Sequence, residues 1–315
     1  MAGSLNILIV GGTGFIGQAL VKDRLGRDDT VTVLGRRDGK IKRLFGSSVH
    51  CLTWHTLKID DIKPFDVIIN LSGANIAAKR WTSKRKANIL RSRLQSTKIL
   101  AQYCAELGNN APSLLNASAV GVYGVVETIS TSVAINENTP IDFHIYTDFS
   151  SEVARRWELA SEVARRHRVR VVDMRFGVVL GLGGGMLKKL VPSYRLGLGA
   201  VIATGQQAIS WVALQDVIAA IDFLLQRTDV QGAVNIVAPE CVSQQTFAKT
   251  LARILHRPCW LRIPAWCLKL LLGRMASELL IGGQRVYPQR LRDFDFQFKT
   301  PSLLSTLNAE LGVKY

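Results

Sequence analysis

Three glycines spaced by threes, Gly11, Gly14 and Gly17, stand between an apolar run, Leu5 to Val10, and a helical pattern that continues to about Leu25. One glycine makes the tight turn that leaves a strand, one lets backbone N–H groups approach a pyrophosphate, and one lets helix pack on strand. An ordinary structural turn is the competing reading, and the strand–turn–helix context decides for dinucleotide binding at a helix N-terminus. Gly11, Thr13, Gly14, Phe15, Ile16 and Gly17 are thereby assigned to the phosphate loop. The second strand, residues 30–35, ends in Arg36 and Arg37, with no acid before Asp38. An acid there would bind the ribose 2′-hydroxyl of NAD, whereas a guanidinium fork matches the 2′-phosphate of NADP. NADP is the expected cofactor; two solvated surface arginines are the alternative.

Further strands are expected at 49–54, 66–71, 113–119 and 169–175, and helices at 83–107 and 149–167. The long helix carries the stripe Leu90, Leu94, Thr97, Ala101 and Cys104, at spacings of four and three. Strands alternating with helices of this length predict an α/β fold, a doubly wound parallel sheet of the NAD(P)-binding Rossmann-like kind. After Gly181 to Gly185 the pattern loosens. A helix at 186–196, a strand-like 209–213, a helix from Asp216, a strand at 233–237, a helix at 243–256 and a proline-punctuated tail follow. The expected division is a nucleotide-binding domain over 1–180, its sheet completed by parts of 205–237, and a smaller C-terminal α/β cap over 181–315.

With 48% hydrophobic residues in 315, disorder is excluded. Lys plus Arg number 40 against 24 Asp plus Glu, a net charge of +16 that raises polyanions as partners. The stretch Val67 to Ala105 holds no acid, yet no nucleic-acid-reading motif accompanies its lysines and arginines. A solvated basic face beside a phosphate cleft is expected, and no specific nucleic acid. The five cysteines include no C-x-x-C pair and the five histidines show no metal spacing, so neither a disulfide framework nor a metal site is expected. Met1 to Asn6 shows no basic flank or cleavage site. The most apolar tail segment, Trp260 to Ile281, is interrupted by Arg262, Pro264, Lys269, Gly273 and Arg274. A cytoplasmic protein with no membrane span is therefore expected, with Trp260 to Leu280 packed within the molecule rather than on another subunit or a membrane surface, and the oligomeric state open.

The glycine triplet, Asn70 to Gly73, Ser118 to Gly124 and Arg175 to Gly181 together resemble the extended short-chain dehydrogenases/reductases, which include nucleotide-sugar epimerases and dehydratases. Lys79 to Trp81, Ser92 to Leu94, Tyr194 to Gly199 and Gly283 to Pro288 resemble more specifically an atypical branch, the epimerase-family proteins with a C-terminal domain of unknown function. In that superfamily a serine or threonine, a tyrosine as general acid/base and a lysine four residues after it share the chemistry. Ser118 matches the serine. No Tyr-x-x-x-Lys occurs at any of the six tyrosines, and aligning on Glu158 puts Ser150 and Ala154 near the dyad positions.

Ser118 and Tyr123 are the catalytic candidates on this reading, with Tyr146 and Asp148 as further replacement acids. Packing beside the cofactor, for Tyr123, and loop and N-cap roles, for Tyr146 and Asp148, are the competing assignments. The resemblance implies that Leu71, Ser72 and Gly73 approach the adenine ribose. It turns Asn88 and Arg93 toward the cofactor, and lines the nicotinamide with Phe176, Gly177 and Val178. Gly181 to Gly185, Arg195, Gly205, Gln206 and Trp211 fall where related enzymes hold a nucleotide-sugar, with a simply flexible glycine loop and a core Trp211 as the competing readings. The implied activity is that of an NADP(H)-dependent oxidoreductase or epimerase-like enzyme acting on a nucleotide-sugar or small carbonyl. A redox-inactive NADP(H)-binding sensor or scaffold is the alternative that the missing dyad favours.

Overall fold

The computed structural model describes residues 4–125 and 135–312. Met1 to Gly3, where the leader reading begins, and the terminal Tyr315 lie outside the described residues. The central sheet is built from β1 (Asn6–Val10), β2 (Thr30–Gly35), β3 (His50–Thr53), β4 (Val67–Asn70), β5 (Ser113–Ala119) and β6 (Val171–Phe176). The chain then makes β7 (Val178–Leu180), β8 (Ala200–Ile202), β9 (Ala208–Ile209) and β10 (Trp211–Ala213) outside that sheet, and returns to its edge as β11 (Gly232–Ile236). All seven sheet strands run parallel in the order β11-β6-β5-β4-β1-β2-β3. Ile7 sits opposite Val31 on one side and Val67 on the other.

Both faces of the sheet are buried, which is why its strands read as unbroken apolar runs rather than alternating ones. Ile7 and Ile9 point into one core with Ile69, Leu115, Val217 and Ile221, while Leu8 and Val10 point into the other with Ile68, Leu100 and Leu114. The helices that cover these faces are α1 (Phe15–Leu25), α2 (Asp38–Phe45), α3 (Ser83–Leu107), α4 (Phe149–Leu159), α5 (Glu162–Arg166), α6 (Gly185–Arg195) and α7 (Leu214–Gln226). The buried face of α3 is Ile89, Ser96, Thr97, Leu100, Ala101 and Cys104, so Leu90 and Leu94 flank the stripe instead of forming it.

Two differences from the sequence pattern have local causes. The helix expected over 149–167 breaks after Leu159, where the Ser161 hydroxyl and the Arg165 guanidinium take the Glu158 carbonyl. α2 shows only one inward pair, Ile41 and Phe45, among charged neighbours, too short a stripe to read as a period. The remaining elements are β12 (Val242–Ser243), α8 (Gln244–Ile254), β13 (Leu261–Ile263), α9 (Ala265–Leu272), α10 (Arg274–Ala276), a π-helical turn at Ser277–Ile281, α11 (Gln289–Asp293) and α12 (Leu303–Leu311). A second core joins Leu187, Val201, Trp211, Phe247, Leu251 and Leu307. β7 pairs with β10, β9 with β12 and β8 with β13. Trp260, Trp266, Leu270 and Leu271 are exposed, contrary to the expectation that Trp260 to Leu280 packs internally; of this stretch Leu268, Met275 and Ala276 are buried. No helix among the described residues is long and apolar enough to cross a membrane.

Candidate functional site

The strand order reverses between β1 and β4, and the two strand ends meet there. The Leu71 N–H donates to the Val10 carbonyl at 2.8 Å, beside the glycine turn. Gly11 adopts a φ of +81°, and a Cβ on it would stand 2.9 Å from the Leu71 carbonyl. A Cβ on Gly17 would meet the Gly11 oxygen at 2.4 Å and the Gly12 Cα at 2.7 Å. Only glycine lets helix and loop approach this closely. No side chain caps α1 at Gly14 and no acid occupies its first turn, so its leading backbone N–H groups remain a positive end for an anion. The Phe15 ring is packed by Gly181, Gly184 and Gly185, and a Cβ on Gly184 would lie 2.6 Å from it. The second glycine cluster therefore covers Phe15.

Arg36 and Arg37 are exposed at the end of β2, with no carboxylate in ion-pair distance among the described residues. The Lys40 ammonium reaches the Thr13 carbonyl at 3.5 Å, which adds a third cation to the rim of the glycine turn. Lys40 was not singled out in the sequence. Its signal is the position, one helical turn beyond Arg36. Across the turn, the Ser72 hydroxyl lies 2.6 Å from both Asn70 Oδ1 and Ser96 Oγ, and its one proton serves one of the two. Gly73 lies against the Arg93 guanidinium, with 3.1 Å from an added Cβ to the Arg93 Cζ. Arg93 donates to the carbonyls of Ala74 and Ile89 and stacks 4.8 Å over the Trp157 ring. Burial, and then the neighbouring Arg85 charge, push it down to about 10. It is an inward-facing arginine with no carboxylate partner among the described residues. Asn88 is half-buried on the same helix.

Ser118 closes β5 and is 2% exposed. Its hydroxyl donates to Glu158 Oε1 at 2.6 Å, so its only proton is spent on that carboxylate. Glu158 also receives a bidentate pair of bonds from Arg175, both 2.9 Å, between side chains 3% and 4% exposed. Arg175 further donates to the Tyr123 hydroxyl at 2.9 Å, and that hydroxyl donates to Asn235 Oδ1 at 2.9 Å. Burial pushes the Tyr123 phenol up, and the Arg175 charge opposes the rise. Ser118, Glu158, Arg175, Tyr123 and Asn235 thus form one chain of hydrogen bonds tying β5, α4, β6 and β11 together. Phe176 is buried next to it. A Cβ on Gly177 would meet the Ser210 carbonyl at 2.6 Å, and Val178 is exposed.

At the start of α4, Asp148 accepts from the Ser151 and Val125 N–H groups, the N-cap role weighed against catalysis. Tyr146 is exposed. Ser150 presents its N–H at 2.8 Å and its hydroxyl at 2.9 Å to one oxygen of Glu278. Ser150 also packs on Gly121, at 3.4 Å from an added Cβ, in the turn that follows Ser118. Glu278 arrives from the C-terminal segment, on the π-helical turn, a geometry that is rare and often found at functional sites. The sequence does carry a signal for it: Glu278 is the only Asp or Glu between Glu240 and Asp293.

The other cap-side candidates are dispersed. Trp211 is fully buried in the second core, Arg195 is exposed, and Gly205 packs on Val201. The basic stretch of α3 divides by face. Arg93 turns inward, Lys86 lies 4.7 Å over the Phe149 ring, and Lys84, Arg91 and Lys98 point to solvent.

Residues 7–237 match the NAD dependent epimerase/dehydratase family, and residues 263–310 match a domain of unknown function, DUF1731. An epimerase family protein of Bacillus subtilis is 32% identical over 296 residues, 93% of this chain and 94% of that one. One from Staphylococcus aureus is 33% identical over 303 residues, 95% of this chain and 97% of that one. Among solved structures, the human epimerase family protein SDR39U1 (isoform 2) with NADPH superposes with a TM-score of 0.85 at 28% identity, covering 98% of this chain and 100% of that one. With one family matched across the whole sheet and relatives matched nearly end to end, the chain belongs to the NAD-dependent epimerase/dehydratase family, as an atypical short-chain dehydrogenase/reductase that carries the C-terminal domain of unknown function.

Proposed function

We propose that this chain is an NADP(H)-dependent oxidoreductase of the epimerase type, acting on a nucleotide-sugar or a small carbonyl compound. The observation that carries the reading is the uncapped glycine turn rimmed by Arg36, Arg37 and Lys40, three cations without a carboxylate partner among the described residues. Gly11, Thr13, Gly14, Phe15, Ile16 and Gly17 would hold the pyrophosphate with backbone, and the rim cations the 2′-phosphate. Leu71, Ser72, Gly73, Asn88 and Arg93 would line the adenosine side, where Arg93 supplies a desolvated positive charge. Phe176, Gly177 and Val178 would line the nicotinamide. The NADPH bound by the human relative supports the same choice. Bound there, the cofactor supplies or accepts a hydride at a carbon of the substrate.

The proton that accompanies the hydride needs a group at the mouth of the site. Ser118 and Tyr123 hold position in this reading, since their hydroxyl protons are already given to Glu158 and Asn235. Glu278 is the group that reaches Ser150, which the alignment on Glu158 sets near the superfamily's tyrosine position, and it is the proposed general acid/base. The absence of Tyr-x-x-x-Lys favours a second reading, a redox-inactive NADP(H) sensor or scaffold.

One experiment separates them: transfer of label from deuterated NADPH to a panel of nucleotide-sugars and small carbonyls, with NADPH and NADH affinities measured alongside. Transfer that falls about a hundredfold in Glu278→Gln with unchanged NADPH affinity is expected. Tight NADPH binding without transfer to any substrate supports the sensor instead. Equal affinity for NADH, or an Arg36→Ala/Arg37→Ala variant that binds NADPH as well as wild type, refutes the NADP assignment.

A further inference from the structure

Among the described residues, the large apolar side chains that are more than half exposed are Ile145, Leu196, Leu198, Trp260, Trp266, Leu270 and Leu271. All but Ile145 fall on two short segments, and the fold brings those segments together. β13 pairs with β8, Leu261 opposite Ala200, so the loop that carries Leu196 and Leu198 runs beside Trp260. The two segments also touch directly. Arg257 donates to the Arg195 carbonyl at 2.8 Å, and a Cβ on Gly199 would lie 3.0 Å from the Pro258 carbonyl. Strand alternation turns Leu261 and Ile263 inward and leaves Trp260 and Arg262 outward.

Two residues beyond β13, α9 repeats the division. Leu268 is buried and Leu272 packs with it, whereas Trp266 and Leu270, one turn apart, and Leu271 face out. Trp260 is 72% and Trp266 67% exposed. A helix apolar on every side is ordinarily buried on every side; α9 is covered on one side only.

The segments that carry this patch hold charge of one sign. No Asp or Glu occurs from Cys241 to Ser277, and none from Met174 to Gln215. Arg195, Arg257 and Arg262 are exposed within or beside the patch, with no carboxylate in ion-pair distance among the described residues. A second copy of the chain would bring arginines against arginines, which opposes pairing through this face. Exposed tryptophan and leucine with surrounding arginine is instead the composition that lies in the headgroup layer of an anionic bilayer, the apolar groups inserted and the cations at the phosphates.

We propose that β13, α9 and the 195–199 loop form a docking surface by which the folded protein sits peripherally on an anionic lipid bilayer. α9 is far too short to span one, so the contact is shallow and reversible. Three arginines of the charge excess, Arg195, Arg257 and Arg262, find their partner there.

The test is cosedimentation of the full-length protein with vesicles of phosphatidylcholine, with and without about a third phosphatidylglycerol, its readout independent of turnover. Binding to the anionic vesicles, weakened by salt and accompanied by a blue shift of tryptophan emission, is expected. Trp266→Glu/Leu270→Glu should weaken partitioning about tenfold or more, and Leu44→Glu on α2 should not. Arg257→Gln/Arg262→Gln, which leaves the apolar groups in place, should weaken it for anionic vesicles only. Circular dichroism and NADPH affinity report the folding of each variant. The proposal is overturned by equal partitioning to neutral and anionic vesicles, by no binding at low salt, or by binding that all the variants retain. It is also overturned if light scattering shows these variants abolishing a dimer instead.

Discussion

The Glu158–Arg175 pair invites a quantitative test, because the structure predicts an asymmetry between its two halves. Both side chains are almost fully buried, and Glu158 accepts three bonds, one from Ser118 and two from Arg175. Replacing Arg175 by Met removes those two bonds and the one to Tyr123. It leaves Glu158 buried beside Asp173, whose carboxyl burial, and then the charge of Glu158, already hold above the ordinary carboxylate range. Removing one partner of a buried pair costs about 3–5 kcal/mol, and the crowded carboxylates place Arg175→Met at the upper end. Glu158→Gln keeps the shape and one acceptor, and Arg175 keeps its bond to the Tyr123 hydroxyl, so about 2–3 kcal/mol is expected.

The double variant leaves no unpaired charge from this pair. It should therefore cost less than the sum of the single variants by about 1–3 kcal/mol, a range set by residues that share partners. Urea unfolding followed by tryptophan emission, with unchanged m-values, measures all three. Strict additivity, or an Arg175→Met cost below about 1 kcal/mol, would refute the view of this pair as a desolvated, mutually dependent unit.

Two further outcomes follow from the geometry. Gly17→Ala puts a Cβ 2.4 Å from the Gly11 oxygen, so loop and helix must separate; calorimetry should show NADPH affinity falling at least about tenfold, with about 1–3 kcal/mol of lost stability, and undiminished affinity would contradict the proposed cradle. Asp173 has a raised carboxyl, so the folded state holds a proton that the unfolded chain releases from its ordinary 3.8 upward. Wild-type stability should then fall as pH rises from there toward neutrality, and Asp173→Asn, which does not titrate, should gain on it by ~1.4 kcal/mol for each unit of the raise, as urea unfolding across that range would show.

The parts legible in the sequence are those set by local rules. The Gly11–Gly17 turn was readable because strand, glycine spacing and helix are contiguous, and the six strands from β1 to β6 because both-face burial demands apolar runs. β11 was legible as a strand at 233–237, but its place at the sheet edge only as part of a return near 205–237, since a crossover of this length leaves no periodic trace of its neighbour. Roles that depend on distant partners were not legible. Ser118 looks like a reactive hydroxyl at a strand end, yet its proton goes to Glu158, forty positions away. Gly181 to Gly185 looks like a ligand loop and packs on Phe15. Glu278 stands alone in its stretch of sequence, and only the fold carries it to Ser150.

By itself, then, the sequence determined the doubly wound sheet, the glycine turn that ends β1 and the arginines at its rim, because steric limits on glycine and the periodicity of burial act over a few residues. The tertiary structure alone decided which hydroxyls are spent, which carboxylate reaches the start of α4, and that Trp260, Trp266, Leu270 and Leu271 remain uncovered. The free energy of a buried charge or an exposed ring depends on what the rest of the chain places beside it, and that neighbourhood is assembled from residues far apart in sequence.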